Sequence, residues 1–265
     1  PDALHISYIH SPVRYAWNQY FPYFASAKLG PFSRLLIPPV IHYLRMWDIT
    51  SSSRVDYFIA NSMAVAQRIE KYYRRQASVI YPPVDVDFFR PAEQKGEFFL
   101  IVSALVPYKR VDLAVEAFNR NGLPLMIVGQ GPELKRLKKT ARQNITFLGA
   151  LSDEELLKTY RKALALLIPG EEDFGINSLE AQACGIPVIA YGRGGALETV
   201  LPEKSGLFFH QLSPESLLEV LDKFKDMQFN KFLLREHAEK FSRERFRKQI
   251  EAFIMNKWTE FRQTS

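Results

Sequence analysis

Two carboxylates eight residues apart, Glu172 and Glu180, bracket a Phe174-Gly175 turn in the stretch Glu172-Asp173-Phe174-Gly175-Ile176-Asn177-Ser178-Leu179-Glu180. The turn follows an apolar strand-like run and leads into what reads as the first turn of a helix. A helix N-terminus attracts anions, so an anion-binding element lies between two hydrogen-bond acceptors. Were every intervening residue helical, the glutamates would stand about 12 Å apart along the axis. A glycosidase acid and base work at about 5 to 10 Å, so that pairing is disfavoured. The two read instead as grips on one extended ligand, with phosphates in its middle and hydroxyls at both ends. A nucleotide sugar is such a ligand. Gly175 permits close approach to the backbone, and the competing reading is an acidic loop ahead of an ordinary amphipathic helix.

A second set of chemically useful residues follows the apolar run 98–102, in Ser103-Ala104-Leu105-Val106-Pro107-Tyr108-Lys109-Arg110-Val111-Asp112. Cations at a strand's carboxyl end sit where open α/β sheets bind ligands. Lys109 suits a diphosphate, because leaving-group charge develops there in glycosyl transfer. Surface cations at a helix start are the alternative, and the macrodipole disfavours them. His10, in His10-Ser11-Pro12-Val13-Arg14, also ends a strand where ligands bind, whereas His5 and His42 lack such a setting and read as structural. Val128-Gly129-Gln130-Gly131-Pro132 reads as a plain tight turn with Pro132 opening a helix. Gly192-Arg193-Gly194-Gly195 is either a simple turn or a loop that brings amides near an anion. Asp85-Val86-Asp87 fits the Asp-x-Asp pattern that holds a divalent ion on nucleotide phosphates. It lies in a Pro-rich linker without further ligands, so no metal is assigned there. The single cysteine, Cys184, excludes an internal disulfide and reads as an inert core thiol.

The elements that must position these residues alternate in type. Apolar runs at 6–9, 57–60, 79–81, 98–102, 125–128, 145–148, 164–168 and 188–191 read as buried parallel strands. Helical patterns lie between them: one capped by Asn61 or Ser62 and reaching Tyr73, one over 111–119, one over 132–142, and one after Ser152-Asp153-Glu154-Glu155 ending near Ala163. The fold class is therefore α/β. Residues 1–83 read as a partial first domain whose two long helical stretches include one interrupted at Pro38-Pro39. Residues 84–96 read as a hinge rich in proline and polar residues. Residues 97–240 form a doubly wound domain. The segment 241–265 reads as a helix packing back on the first domain, its Arg243, Arg245, Arg247 and Lys248 being a solvated face rather than a membrane anchor. At 265 residues and a net charge of +6, the chain favours an anionic membrane face or anionic small substrate over nucleic acid, for which no basic block with interleaved aromatics is present. No signal peptide or run of transmembrane length is visible. A start at Pro1-Asp2-Ala3, directly beside a strand, suggests missing upstream sequence and a C-terminal fragment.

Taken together these segments resemble the family 4 retaining glycosyltransferases of the GT-B fold. Glu172 and Glu180 fall on that family's Glu-x7-Glu signature, residues 105–112 on its phosphate-lysine loop, Tyr81-Pro82-Pro83-Val84-Asp85 on its hinge, and Ile6-Ser7-Tyr8-Ile9-His10-Ser11-Pro12 on its active-site histidine strand. The resemblance implies a complete C-terminal Rossmann-like donor domain and the remaining part of an N-terminal, acceptor-side one. It also implies roles. Glu180 should hold the donor ribose and Glu172 the transferred sugar. Lys109, with Arg110, should hold the diphosphate, and backbone amides near Phe174, Gly175, Ile176 and Asn177 should face sugar and diphosphate. Gly149, Ala150 and Leu151 should cover the base, and His10 should line the sugar site. Transfer on one face of the sugar, with the leaving phosphate taking the acceptor's proton, would need no cofactor and no metal. Many members carry an arginine where this chain has Ala104, so either Arg110 substitutes or the donor grip is weaker. By the same resemblance the family's first strand and glycine-rich loop are expected upstream of this chain, so the acceptor site should be incomplete and the fragment alone inactive.

The style of the 107–110 and 171–175 segments is similar to bacterial mannosyltransferases that build surface polysaccharide. GDP-mannose is accordingly the expected donor, and a saccharide or lipid-linked molecule the acceptor, at the cytoplasmic side with peripheral contact to the inner membrane face. The alternatives are an epimerase or phosphorylase of the same architecture, or a nucleotide-binding module without catalysis. A dehydrogenase is disfavoured, since the glycine fingerprint and its ribose acid are missing.

Overall fold

The computed structural model describes residues 3–25, 30–93 and 96–264. The chain divides into two compact units, residues 1–82 with 244–265, and residues 83–243. Part of the expected hinge, residues 94–95, lies outside the described residues.

In the first unit three parallel strands, β1 (Ile6–Ile9), β2 (Tyr57–Ala60) and β3 (Ala77–Val79), pair in sequence order. Val55, Phe58, Ala60, Val65 and Ile69 form its core. Helix Met63–Tyr73 starts where Ser62, in extended conformation, accepts the amide of Val65 at 3.1 Å, satisfying a first-turn donor that the helix itself leaves open. Helix Arg243–Thr264 packs on this sheet: Phe246 lies edge-on to Tyr8 and Phe253 edge-on to Tyr57. The third strand ends at Val79, not Tyr81, because Pro82 and Pro83 offer no donors to extend a ladder. A second correction concerns Pro38-Pro39. Helix Pro31–Ser52 runs through both prolines without interruption. Being adjacent, they remove two neighbouring donors from a single stretch, and the turns on either side retain their bonds.

In the second unit six parallel strands follow the order β6-β5-β4-β7-β8-β9: β4 (Phe98–Val102), β5 (Leu125–Val128), β6 (Ile145–Gly149), β7 (Ala163–Ile168), β8 (Val188–Tyr191) and β9 (Gly206–Phe209). Numbered within the unit, this is the dinucleotide-type order 3-2-1-4-5-6. Its strands are apolar on both faces because helices cover both. Phe99, Ile101, Val115, Phe118, Ile127, Leu167 and Ile189 meet in one core. The strand β9 is a further departure from the sequence reading. Its Gly206 sits where a Cβ would lie 2.0 Å from the Val188 carbonyl oxygen, so this edge pairing depends on a glycine that locally reads as a loop signal.

Candidate active site

The sheet order places the site. Strands β4 and β7 are neighbours, but the chain leaves them towards opposite halves of the sheet, so the crevice outside their carboxyl ends is the topological switch point. The loop after β4 carries Lys109, and the loop after β7 carries Glu172. At the base of both, the Asn177 side-chain amide donates to the Val102 carbonyl at 2.7 Å. This bond ties the start of helix Ile176–Ala183 to the end of β4.

Lys109 closes a short 3-10 turn, Pro107–Lys109, and Arg110 follows in the left-handed region with φ 52°. The glycine turn after β5 supports this loop: the Leu105 amide donates to the Gln130 carbonyl at 2.8 Å and the Glu133 amide to the Leu105 carbonyl at 3.0 Å. Pro132 therefore belongs to the turn, and the helix opens only at Leu134. On the opposite side Gly170 presses on the lysine itself, for a Cβ there would stand 2.8 Å from Lys109 Cα. So held, Lys109 Nζ donates to the Glu172 carboxylate, with the two side chains 16 % and 20 % exposed. The two charges assigned by the sequence to neighbouring parts of one ligand are thus partners of each other. Arg110 turns onto its own helix, its Nε 3.3 Å from Asp112 Oδ1, and Ala104 is exposed.

The Glu172 segment is fixed from β8. The Gly195 amide donates to the Glu172 carbonyl at 2.9 Å, and Gly194 pairs with Glu172 in a parallel bridge. A Cβ on Gly195 would stand 2.3 Å from Phe174 Cα. Of the two readings of this glycine turn, the structure supports the first: at Gly195 the amide is taken by the protein's own chain. Phe174 is buried, and Gly175 caps the helix with φ 84°, a left-handed conformation that a side chain would strain. The amides that open helix Ile176–Ala183 consequently start beside the Lys109–Glu172 pair.

Glu180 lies one turn further along the same helix in a different environment. Its Oε2 accepts the hydroxyl of Tyr160 at 3.0 Å, and Tyr160 is fully buried. Burial pushes the Glu180 carboxyl up to about 7, against the opposing pull of the Tyr160 bond and with the charge of Asp153 adding to the rise. Burial likewise pushes the Cys184 thiol up to about 12, so it stays protonated and inert near neutral pH.

The remaining expected residues are more dispersed. Gly149 ends β6, two strands from β4 on the same edge of the sheet, with Ala150 and Leu151 just after it, and the Gly149 carbonyl accepts the Gly129 amide at 2.7 Å. His10 belongs to the first unit, exposed at the end of β1 with its ring edge-on to Tyr8 at 5.3 Å. Asp85 accepts the Phe88 amide at 3.1 Å and pairs with Arg243 at 3.0 Å. That carboxylate serves a turn. Among the described residues no group of three or more His, Cys, Asp or Glu is placed to hold a metal, and no helix is long and apolar enough to cross a membrane. Tyr160 and Gly170 were not singled out by the sequence, since only the folded chain brings them to Glu180 and Lys109.

Residues 85–247 match the family described as glycosyl transferases group 1. An uncharacterized glycosyltransferase of Methanocaldococcus jannaschii is 29 % identical over 199 residues, covering 73 % of this chain and 56 % of that protein. A GDP-mannose-dependent alpha-(1-6)-phosphatidylinositol monomannoside mannosyltransferase of Mycobacterium tuberculosis is 36 % identical over 156 residues, covering 48 % and 40 %. The chain spans about half the length of the curated relatives it matches. Among solved structures, Anabaena HepE in complex with UDP and glucose aligns with TM-score 0.75 at 17 % identity, covering 94 % of this chain and 71 % of that one. The expected α/β architecture of GT-B type is the one observed.

Proposed function

The chain belongs to the group 1 glycosyl transferases, and on that premise we propose that it binds a nucleotide sugar and takes part in transferring its hexose to a saccharide or lipid-linked acceptor, as a family 4 retaining enzyme. One observation carries the reading: the Lys109–Glu172 ion pair at the switch point, beside the opening of helix Ile176–Ala183 and one turn from Glu180. In this reading the donor's diphosphate replaces Glu172 as the partner of Lys109, which frees Glu172 for the sugar hydroxyls. The amides of Phe174 to Asn177 face the sugar and diphosphate, and Arg110 assists once it leaves Asp112. Glu180 accepts from the ribose, and Gly149 to Leu151 border the base. By the family resemblance His10 is assigned to the sugar. The bond from the anomeric carbon to the diphosphate oxygen breaks while the bond to the acceptor oxygen forms on the same face. The acceptor's proton passes to the departing phosphate. Positive charge at the leaving group comes from Lys109, and no metal ion has a part in this scheme.

GDP-mannose is the proposed donor, supported by the mannosyltransferase relative and by the local style of the lysine and glutamate loops. The proposed setting is surface polysaccharide synthesis in the cytoplasm, with peripheral contact at the inner membrane face. Calorimetric titration of the chain with GDP, UDP and ADP tests the reading. Tightest binding of GDP is expected, and no binding of any of the three would overturn a preformed donor site.

A further inference from the structure

We propose that Tyr160 is a positioning residue of the donor site, holding the Glu180 carboxylate through its buried hydroxyl so that the ribose meets an acceptor already aimed. This rests on the assignment of Glu180 to the ribose made above. Tyr160 stands near the end of helix Asp153–Arg161. It is fully buried, with its ring edge-on to Phe89 at 5.8 Å. Phenylalanine would fill the same volume with no polar atom to satisfy. What the hydroxyl adds is a hydrogen bond to Glu180 Oε2 at 3.0 Å, and without it the phenol would be a buried donor lacking an acceptor.

The bond has a directional consequence. A carboxylate offers about four lone-pair sites over two oxygens. Tyr160 takes one site on Oε2 from the protein side, leaving Oε1 and the remainder of Oε2 for a pair of vicinal hydroxyls. A glutamate side chain has several rotatable bonds, and fixing them before the ligand arrives lowers the entropy lost on binding. The same hydroxyl favours the ionised form of Glu180, opposing its burial and the nearby carboxylate of Asp153. Further along, the Cys184 thiol feels Arg161 and Arg235, and Arg235 is paired with Glu239 at 2.9 Å. Arg235 is occupied with the Ala183 carbonyl at 3.3 Å.

The test uses Tyr160→Phe, with GDP and UDP as probes beside their 2′,3′-dideoxy counterparts, titrated calorimetrically across pH 6 to 9. Loss of the hydroxyl should weaken the ribose-bearing nucleotides by about 3- to 10-fold, leave the dideoxy nucleotides unchanged, and move the pH midpoint of binding upward. In a Glu180→Gln background the same substitution should add nothing to the pH midpoint. Equal weakening of ribose and dideoxy nucleotides would mean that Tyr160 only supports the fold, and would overturn the proposal. If the unmodified chain fails to distinguish ribose from dideoxyribose, the ribose assignment of Glu180 itself is wrong.

Discussion

The two glutamates occupy opposite kinds of surroundings although one short segment carries both. Glu172 sits in a loop, held by backbone contacts from Gly195, with its side chain drawn to the cation Lys109. Glu180 sits on the helix, held by its side chain through a buried phenol, in surroundings that disfavour its charge. A carboxylate paired with a lysine is exchangeable, because another anion can take its place. One that is buried and bonded to a neutral hydroxyl is fixed in place, and what varies is its protonation. The difference separates a residue suited to changing partners during a reaction from one suited to gripping a ligand that does not react.

Breaking the reactive end should have the largest consequence. Glu172→Ala in the intact protein is expected to reduce sugar transfer by about 10²- to 10³-fold, the range seen when a preorganised polar group at a reacting centre is lost. Binding of GDP to the same variant should persist. A steady-state transfer assay with GDP-mannose and a nucleotide titration read the two separately, and near-normal transfer would remove Glu172 from the chemistry.

Next in size is Lys109→Ala. A charge-assisted bond contributes about 1.5–3 kcal/mol, so nucleoside diphosphate affinity should fall by about 10- to 150-fold. The nucleoside lacking phosphates should bind as before. Equal affinity of variant and parent for GDP would mean that the lysine serves only its bond to Glu172.

How much of this comparison was legible beforehand follows from the range of the contacts. Parallel strands such as β4 and β7 are buried on both faces, so they appear in the sequence as unbroken apolar runs. Ser62 and Ser152 reveal helix starts because a cap is a local event; the Ser152 hydroxyl accepts the Glu155 amide three residues on. The motif glutamates and Lys109 were legible as chemistry because their spacing is local too. What was hidden depends on residues far apart in sequence. Gly170 permits the close approach of Lys109, Gly195 that of Phe174, and Tyr160 meets Glu180 only across the packed helices. Pro38 and Pro39 read as an interruption, yet the helix runs through them although both prolines and most of their neighbours are exposed.

Glu180→Gln probes the fixed end. With its carboxyl raised by burial, Glu180 stabilises the fold fully only below its unfolded value, and that contribution is lost as pH rises through about 7. A glutamine carries no charge to desolvate and still accepts the Tyr160 hydroxyl. The variant should therefore melt about 2–4 °C above the parent at pH 8.5, with little difference at pH 5, while binding GDP more weakly. Thermal unfolding at both pH values measures this, and a variant that is less stable at pH 8.5 would show that the carboxylate is well solvated.

The smallest effect expected has the opposite sign in binding, which makes it the sharpest separation of the two ends. Glu172→Gln keeps the size of the side chain and an oxygen that accepts from Lys109, but removes the negative charge competing with a diphosphate for that lysine. The pair is partly exposed, so its net worth is modest, about 1 kcal/mol or less. Nucleoside diphosphate affinity should accordingly rise by about 2- to 5-fold. The gain should shrink at high ionic strength, since screening weakens the original competition. At Glu180 the corresponding substitution weakens binding, so one chemical change at two positions eight residues apart would move affinity in opposite directions. Calorimetric titration of both variants with GDP at low and high salt decides it. If Glu172→Gln also binds GDP more weakly, the carboxylate is a direct ligand of the nucleotide, and the two glutamates do the same work.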